Sequence, residues 1–237
     1  MMQNKAKTIV IVGASRGIGK ELVLQFAKDN QNTVIALSRS ESILTDFKTN
    51  NNVFAYRFDL NFTNKPEQIY QNLSEILKNF PKIDILINNA GKLVNKPFLE
   101  LQYQDIVDSF QVNIIGVIQT VQTILPKMLE NGGHIVNISS MGAFQGTLKF
   151  SGLCAYSSSK ASLLNFTELF AEEFKDSKIK INCLCLGAVQ TEMLEEAFPG
   201  YKAKISAKEM ANYILDFSLN AHFYMNGKII PVSLSTP

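Results

Sequence analysis

A parallel β-sheet with helices packed on both faces is the α/β fold that this sequence predicts, and three observations carry it. Short β-branched apolar runs recur along the chain and alternate with longer segments whose apolar residues fall at three- and four-residue intervals. Those short runs are apolar at consecutive positions, as strands covered from two sides must be. The chain has 237 residues, 46% of them hydrophobic, which supports one large core. No repeat, low-complexity stretch or linker divides it, so a single domain over residues 1–237 is expected.

The first segment, KTIVIVGASRGIGKELVLQFAKDN, begins with β-branched residues and changes to helical spacing after a glycine-rich turn. Strand, tight turn and helix in that order form a mononucleotide-binding unit. TVIAL predicts a second strand ending at Ser38, Arg39 and Ser40; NVFAYRF a third, ending at Asp59; KIDILINNAG a fourth. Residues 100 to 130 read as one long helix, with Tyr103, Ile106, Val107, Phe110, Ile114, Val117, Val121, Ile124 and Leu125 on its apolar side. GGHIVNISS is strand five, KASLLNFTELFAEEFK an amphipathic helix, IKINCLCLG strand six, and GKIIPVS a late strand. Between residues 191 and 208, TEMLEEAFPGYKAKISAK contains the breaker pair Pro199 and Gly200. That stretch reads either as a surface crossover or as a flap over a ligand at the carboxyl edge of the sheet.

Composition excludes several classes. Lys+Arg (23) nearly balance Asp+Glu (21), giving +2 with no long block of one sign, so nothing suggests the concentrated basic surface that nucleic acid needs. No run approaches the roughly 18 apolar residues of a membrane span, and the N-terminus lacks a signal peptide's apolar core. Cys154, Cys183 and Cys185 have no disulfide-framework spacing, and His134 and His222 are too few for a metal site. A cytoplasmic, reduced, metal-free protein is expected, without nucleic acid or membrane as partner.

The chemistry is concentrated in a few motifs. GASRGIG places Gly13, Gly17 and Gly19 after a strand and at a helix start, where glycine permits the close backbone approach that a pyrophosphate needs. At the end of the second strand, where an acidic residue would accept from a free ribose hydroxyl, the chain has Ser38 and Arg39. With Arg16 in the glycine loop, two guanidinium groups can converge on a 2'-phosphate, which favours NADPH over NADH. Asp59 either accepts from an adenine amino group or caps the next segment. Asn88, Asn89, Ala90 and Gly91 form a small-residue turn that leaves room for the cofactor or serves as a turn alone.

In CAYSSSK, Tyr156 and Lys160 are four positions apart, one turn of a helix. Hydride transfer to a carbonyl leaves charge on oxygen, and Tyr156 can supply the proton; Lys160 can lower the phenol's pKa and reach the nicotinamide ribose. Ser140, at the end of NISS, can hold the substrate oxygen. Asn113, a polar residue in VNIIGVI, reads as a satisfied core amide, or as a kink or held water on a proton path to Lys160.

These residues resemble the short-chain dehydrogenase/reductase family over about residues 5 to 232. The resemblance rests on VGASRGIG (Gly13, Ser15, Arg16, Gly17, Ile18, Gly19), Asp59 with Leu60, NNAG (Asn89, Ala90, Gly91), Asn113, Ser140 and YSSSK. It implies Tyr156 as acid/base, Lys160 on the ribose and as the cation that lowers the tyrosine pKa, Ser140 orienting substrate, and Asn113 fixing a lysine-linked water. Val189 and Thr191 match family positions that bind the carboxamide and diphosphate ends of the cofactor. It also implies a single doubly wound Rossmann-type domain with seven parallel strands, assembled as a homodimer or homotetramer. The helix over 159 to 175, with Leu163, Phe166, Leu169, Phe170 and Phe174, fits pairing with a symmetry mate or burial within one chain.

Two departures stand out. Leu186 precedes Gly187 where the family usually has proline, and Ser140 lies 16 residues before Tyr156 where 13 is common. The longer loop carries Phe144, Leu148, Phe150 and Leu153, which line an apolar substrate mouth or pack on a partner subunit. The expected activity is NADPH-dependent reduction of a carbonyl to a secondary alcohol, or its reverse, on a small-molecule substrate. The alternative is a catalytically silent NADP(H)-binding sensor or scaffold of the same fold.

Overall fold

The computed structural model describes residues 6–61 and 67–236; Lys5, where the resemblance begins, and Pro237 lie outside the described residues. In chain order the elements are β1 (Thr8–Val12), α1 (Gly17–Ala27), β2 (Thr33–Ser38), α2 (Ile43–Asp46), β3 (Val53–Arg57), α3 (Glu67–Ile76), β4 (Ile85–Asn88), α4 (Tyr103–Phe110), α5 (Gly116–Ile124), β5 (Gly133–Ser140), α6 (Cys154–Glu173), β6 (Ile179–Leu186), β7 (Val189–Gln190), α7 (Glu192–Ala197), β8 (Ile205–Ser206), α8 (Ala207–Asn220) and β9 (Lys228–Val232). Seven strands form one sheet in the order β3-β2-β1-β4-β5-β6-β9, and every neighbouring pair is parallel. All seven are the strands the sequence predicts.

The pleat explains their two-sided apolar composition. Successive side chains on a strand point to opposite faces. On β1, Val10 and Val12 join a core with residues of α3, α5 and α6, whereas Ile9 and Ile11 join another with residues of α1 and α8. All four are at most 2% exposed. Of the apolar residues expected on this helix, Leu163 and Phe170 are buried within the chain, and Phe166 and, just beyond the end of α6, Phe174 pack against the same core. Leu169 is 63% exposed.

Strand order reverses at β1, which pairs with β2 on one side and β4 on the other. The two halves of the chain leave the sheet in opposite directions there, so a crevice opens at the carboxyl ends of the strands.

The helix expected over residues 100 to 130 is not continuous. A 3-10 turn covers Phe98–Glu100, α4 follows, Gln111–Ile115 form a π turn, α5 resumes, and Leu125–Lys127 close with another 3-10 turn. Apolar spacing could not show the break, because residues on both sides of the π turn still face the core. A two-stranded parallel ribbon of β7 and β8 brackets α7 and carries the 191–208 segment over the carboxyl edge.

Candidate active site

A cleft of about 260 Å³ lies along that edge. The glycine loop forms one end. Gly13 and Gly17 have φ of 87° and 52°, conformations that side-chain-bearing residues rarely adopt. The Gly13 amide donates to the Leu37 carbonyl at 2.8 Å, and Asn89 Nδ2 donates to the Gly13 carbonyl at 2.9 Å. A methyl group on Gly19 would come within 1.9 Å of that carbonyl oxygen, so the third glycine is required by close packing of helix on loop. No described side chain caps α1, and Gly17 and Ile18 at its start line the cleft. A helix start of this kind favours an anion.

The expected cofactor residues Gly13, Ser15, Arg16, Gly17, Ile18, Ser38, Arg39, Asp59, Leu60, Asn89, Ala90, Gly91, Val189 and Thr191 all line this cleft, as do Ser140, Tyr156 and Lys160. Gly19 and Asn113 stand behind its wall. Asp59 Oδ1 accepts from the Asn61 amide at 3.0 Å, the turn-capping option left open by the sequence, while its residue still faces the cleft. Asn88 is buried at the end of β4 and donates to Asn137 Oδ1 at 2.8 Å, so the NNAG turn is anchored in the sheet.

Arg16 and Arg39 stand at the same end, but Arg16 already has an anion. Its guanidinium binds both carboxylate oxygens of Glu196 on α7, Nη2 to Oε2 at 3.0 Å. Hydrogen bonding to Arg16 holds the Glu196 carboxyl below the usual carboxylate range, and Arg39 adds to the effect. Arg16 thus holds a negative group of the protein itself, and Arg39 acts on that group through its field.

At the other end, β5 delivers Ser140 and α6 delivers Tyr156 and Lys160. Tyr156 is 9% exposed and Lys160 3%. Burial pushes the Tyr156 phenol up to about 12, with a hydrogen bond to Ser140 pulling the other way. The expected lowering by Lys160 does not appear in the chain's own electrostatics. Desolvation of a phenolate sets the direction for Tyr156, and burial pushes Lys160 itself down to about 8. Its ammonium donates to the Ile138 carbonyl at 2.7 Å.

Asn113 sits in the π turn, fully buried. Its amide accepts from the Lys92 backbone at 2.8 Å and donates to the Lys92 carbonyl and to Ser159 Oγ, both at 2.9 Å. The amide is satisfied, as a core amide would be, and the helix is deformed around it. A Cβ built on Gly91 would lie 3.5 Å from Lys160 Nζ and 3.6 Å from Asn113 Oδ1, so the two side chains converge on one small space.

Leu93, Met141, Phe150, Leu153, Met193 and Phe198 give the Tyr156 end apolar walls. Of the loop residues expected there, Phe150 and Leu153 contribute. Leu148 is 79% exposed and Phe144 does not line the cleft. No motif marks Lys92, Met193, Glu196, Phe198 or Thr236, and YSSSK assigns Ser159 no role of its own. Just after Leu186, where the family usually has proline, the Gly187 amide donates to the Val232 carbonyl and the Ala188 amide to the Ser235 carbonyl, each at 2.9 Å. A Cβ on Gly187 would fall 2.1 Å from Ser233 Oγ.

Comparison with known proteins agrees with this arrangement. The family model described as short chain dehydrogenase matches residues 7–202. The 3-oxoacyl-[acyl-carrier-protein] reductase FabG of Aquifex aeolicus is 30% identical over 243 residues, covering 97% of this chain and 96% of that protein. Dehydrogenase/reductase SDR family member 6 of Xenopus laevis is 32% identical over 192 residues, 80% of this chain and 74% of that one. Among solved structures, a short chain dehydrogenase from Shigella flexneri complexed with NADP superposes with a TM-score of 0.84 at 25% identity, covering 96% of this chain and 97% of that one. One from Escherichia coli complexed with NADPH gives 0.84 at 25% identity, with 96% of each chain covered. With its parallel seven-stranded sheet and its glycine loop, the chain belongs to the short-chain dehydrogenase family.

Proposed function

We propose that this protein is an NADP(H)-dependent oxidoreductase that interconverts a small-molecule carbonyl and its secondary alcohol. One observation carries the reading: a single cleft joins an anion-accepting glycine loop flanked by Arg16 and Arg39 to a buried Tyr156, Ser140 and Lys160. The donor set fits the cofactor. Loop amides and the start of α1 suit a diphosphate, the arginines a 2'-phosphate, and the apolar end a nicotinamide and substrate.

The bound nicotinamide supplies or accepts the hydride. Charge that develops on the substrate oxygen is met by Tyr156, which donates its proton, and by the Ser140 hydroxyl, which donates a hydrogen bond. The Tyr156 phenol is protonated at neutral pH and so carries the proton that carbonyl reduction needs, although burial, which pushes it up to about 12, makes it a weaker donor in the chain alone. Lys160, turned toward the Ile138 carbonyl, stands one helical turn away to hold ribose hydroxyls and to reload the phenol. Asn113 fixes the backbone at Lys92 and the Ser159 hydroxyl, and through them the spacing of α6 from the π turn.

Tyr156→Phe tests this. Turnover of carbonyl substrates is expected to fall by roughly a hundredfold or more, with NADPH affinity unchanged in a fluorescence titration. A rate near that of the parent protein removes the tyrosine from this role. Arg39→Asp is expected to move the ratio of kcat/KM toward NADH, and an unchanged ratio contradicts the phosphate assignment.

A further inference from the structure

We infer that Glu196 is an internal competitor of the cofactor's 2'-phosphate, a carboxylate that must leave Arg16 before that phosphate can be held there. The inference rests on the NADP(H) reading above and concerns a residue outside any motif of the site.

Three observations support it. Arg16 lines the cleft beside Ser38 and Arg39, where a 2'-phosphate would lie. Both carboxylate oxygens of Glu196 engage that guanidinium, using the fork that a phosphate would use. The pair is accessible, with side chains 42% and 62% exposed, so a ligand can reach and replace it. Glu196 also lies in the field of Arg39. One five-donor guanidinium fork cannot serve two bidentate anions at full strength, and the electrostatic gain from bringing a phosphate next to a retained carboxylate is reduced by like-charge repulsion.

Its neighbours on α7 define the control. Glu195 faces away, accepting from the Gly200 amide at 3.1 Å and pairing with Lys202 at 3.9 Å. Glu192 also acts on Arg16, and its Oε2 would lie 3.5 Å from a Cβ on Gly17. Glu196→Gln and Glu195→Gln thus remove the same charge from the same short helix, only one of them from the arginine.

The experiment titrates adenosine 2',5'-bisphosphate and adenosine 5'-monophosphate by calorimetry into the parent chain and both variants. Glu196→Gln is expected to bind the bisphosphate about three- to tenfold more tightly, the scale of an exposed bidentate pair. Its affinity for the monophosphate stays within about twofold, and Glu195→Gln matches the parent for both ligands. Unchanged or weaker bisphosphate binding by Glu196→Gln overturns the inference. So does an equal gain for both nucleotides, an equal gain in Glu195→Gln, or failure of every protein to bind either nucleotide. The parent's own ratio for the two nucleotides tests the NADP(H) reading separately. If neither the parent nor Glu196→Gln prefers the bisphosphate, that reading fails and the competition with it, whereas a parent that prefers the bisphosphate with no gain in Glu196→Gln overturns the competition alone.

Discussion

Replacing Lys160 by methionine should make the protein more stable while removing its activity. The lysine is 3% exposed, and burial lowers its pKa from 10.5 to about 8. At about 1.36 kcal/mol per pKa unit, holding that ammonium in the folded chain at pH 7 costs about 3 kcal/mol relative to the unfolded chain. Methionine fills a similar volume without the charge and gives up one hydrogen bond, to the Ile138 carbonyl, worth about 1 kcal/mol. The net gain is about 2 kcal/mol, a rise in Tm of roughly 4–8 °C for a chain of this size. The pH dependence identifies the cause. From about pH 8 up to 10.5 the unfolded chain keeps the lysine proton and the folded chain releases it, so this group makes stability rise with pH across that window. Tyr156, raised from 10 to about 12, acts in the opposite direction, but only above about pH 10. Thermal melts of both proteins in steps between about pH 7 and pH 10 should therefore converge as pH rises. A Lys160→Met protein that melts below its parent at pH 7, or follows it in parallel across the window, refutes the reasoning.

Gly19→Ala puts a methyl group against the Gly13 carbonyl oxygen and Asn89 Nδ2, so it should destabilise by about 1–3 kcal/mol and weaken adenosine 2',5'-bisphosphate binding. Gly91→Ala meets only ordinary contacts and should keep its Tm; equal melting of the two variants would contradict the steric account. His134, on β5 against the Ser218 carbonyl, is pushed by burial from 6.5 to about 4. The folded chain keeps it neutral, so its contribution is complete above about pH 6.5 and is lost as pH falls to about 4, about 3 kcal/mol in all. His134→Gln should flatten that acid limb in urea titrations, and an unaltered limb would show that other groups carry it.

Much of this was readable from the letters because the signals are local. A strand buried on both faces has to be apolar at consecutive positions, so TIVIV and ILIN identify themselves. Gly13 and Gly17 occupy backbone conformations that nearly dictate glycine, and helical spacing alone places Tyr156 and Lys160 one turn apart on α6. The remainder depends on residues that approach from far along the chain. Glu196 reaches Arg16 across 180 positions and Ser159 reaches Asn113 across 46, and no periodicity announces either meeting. The phenol's pKa meets the same limit: sequence shows the neighbouring cation, whereas the desolvation that raises the phenol depends on how deeply α6 sits. Leu148 and Phe144 show the reverse limit, since apolar character does not say which way a loop turns its side chains.

The π turn at Gln111–Ile115 has a consequence for any attempt to regularise this helix. Such a turn holds one residue more than a regular α-helical turn. Forcing those residues into regular α geometry without deleting one would carry everything beyond them about 100° further round the axis. Val117, Val121 and Ile124, now sealed against the sheet, would swing toward water, and the amide of Asn113 would lose its hold on Lys92 and Ser159 together. The irregularity acts as a phase setting between two halves of one rod, and losing it would cost the interior and the chemistry in the same step.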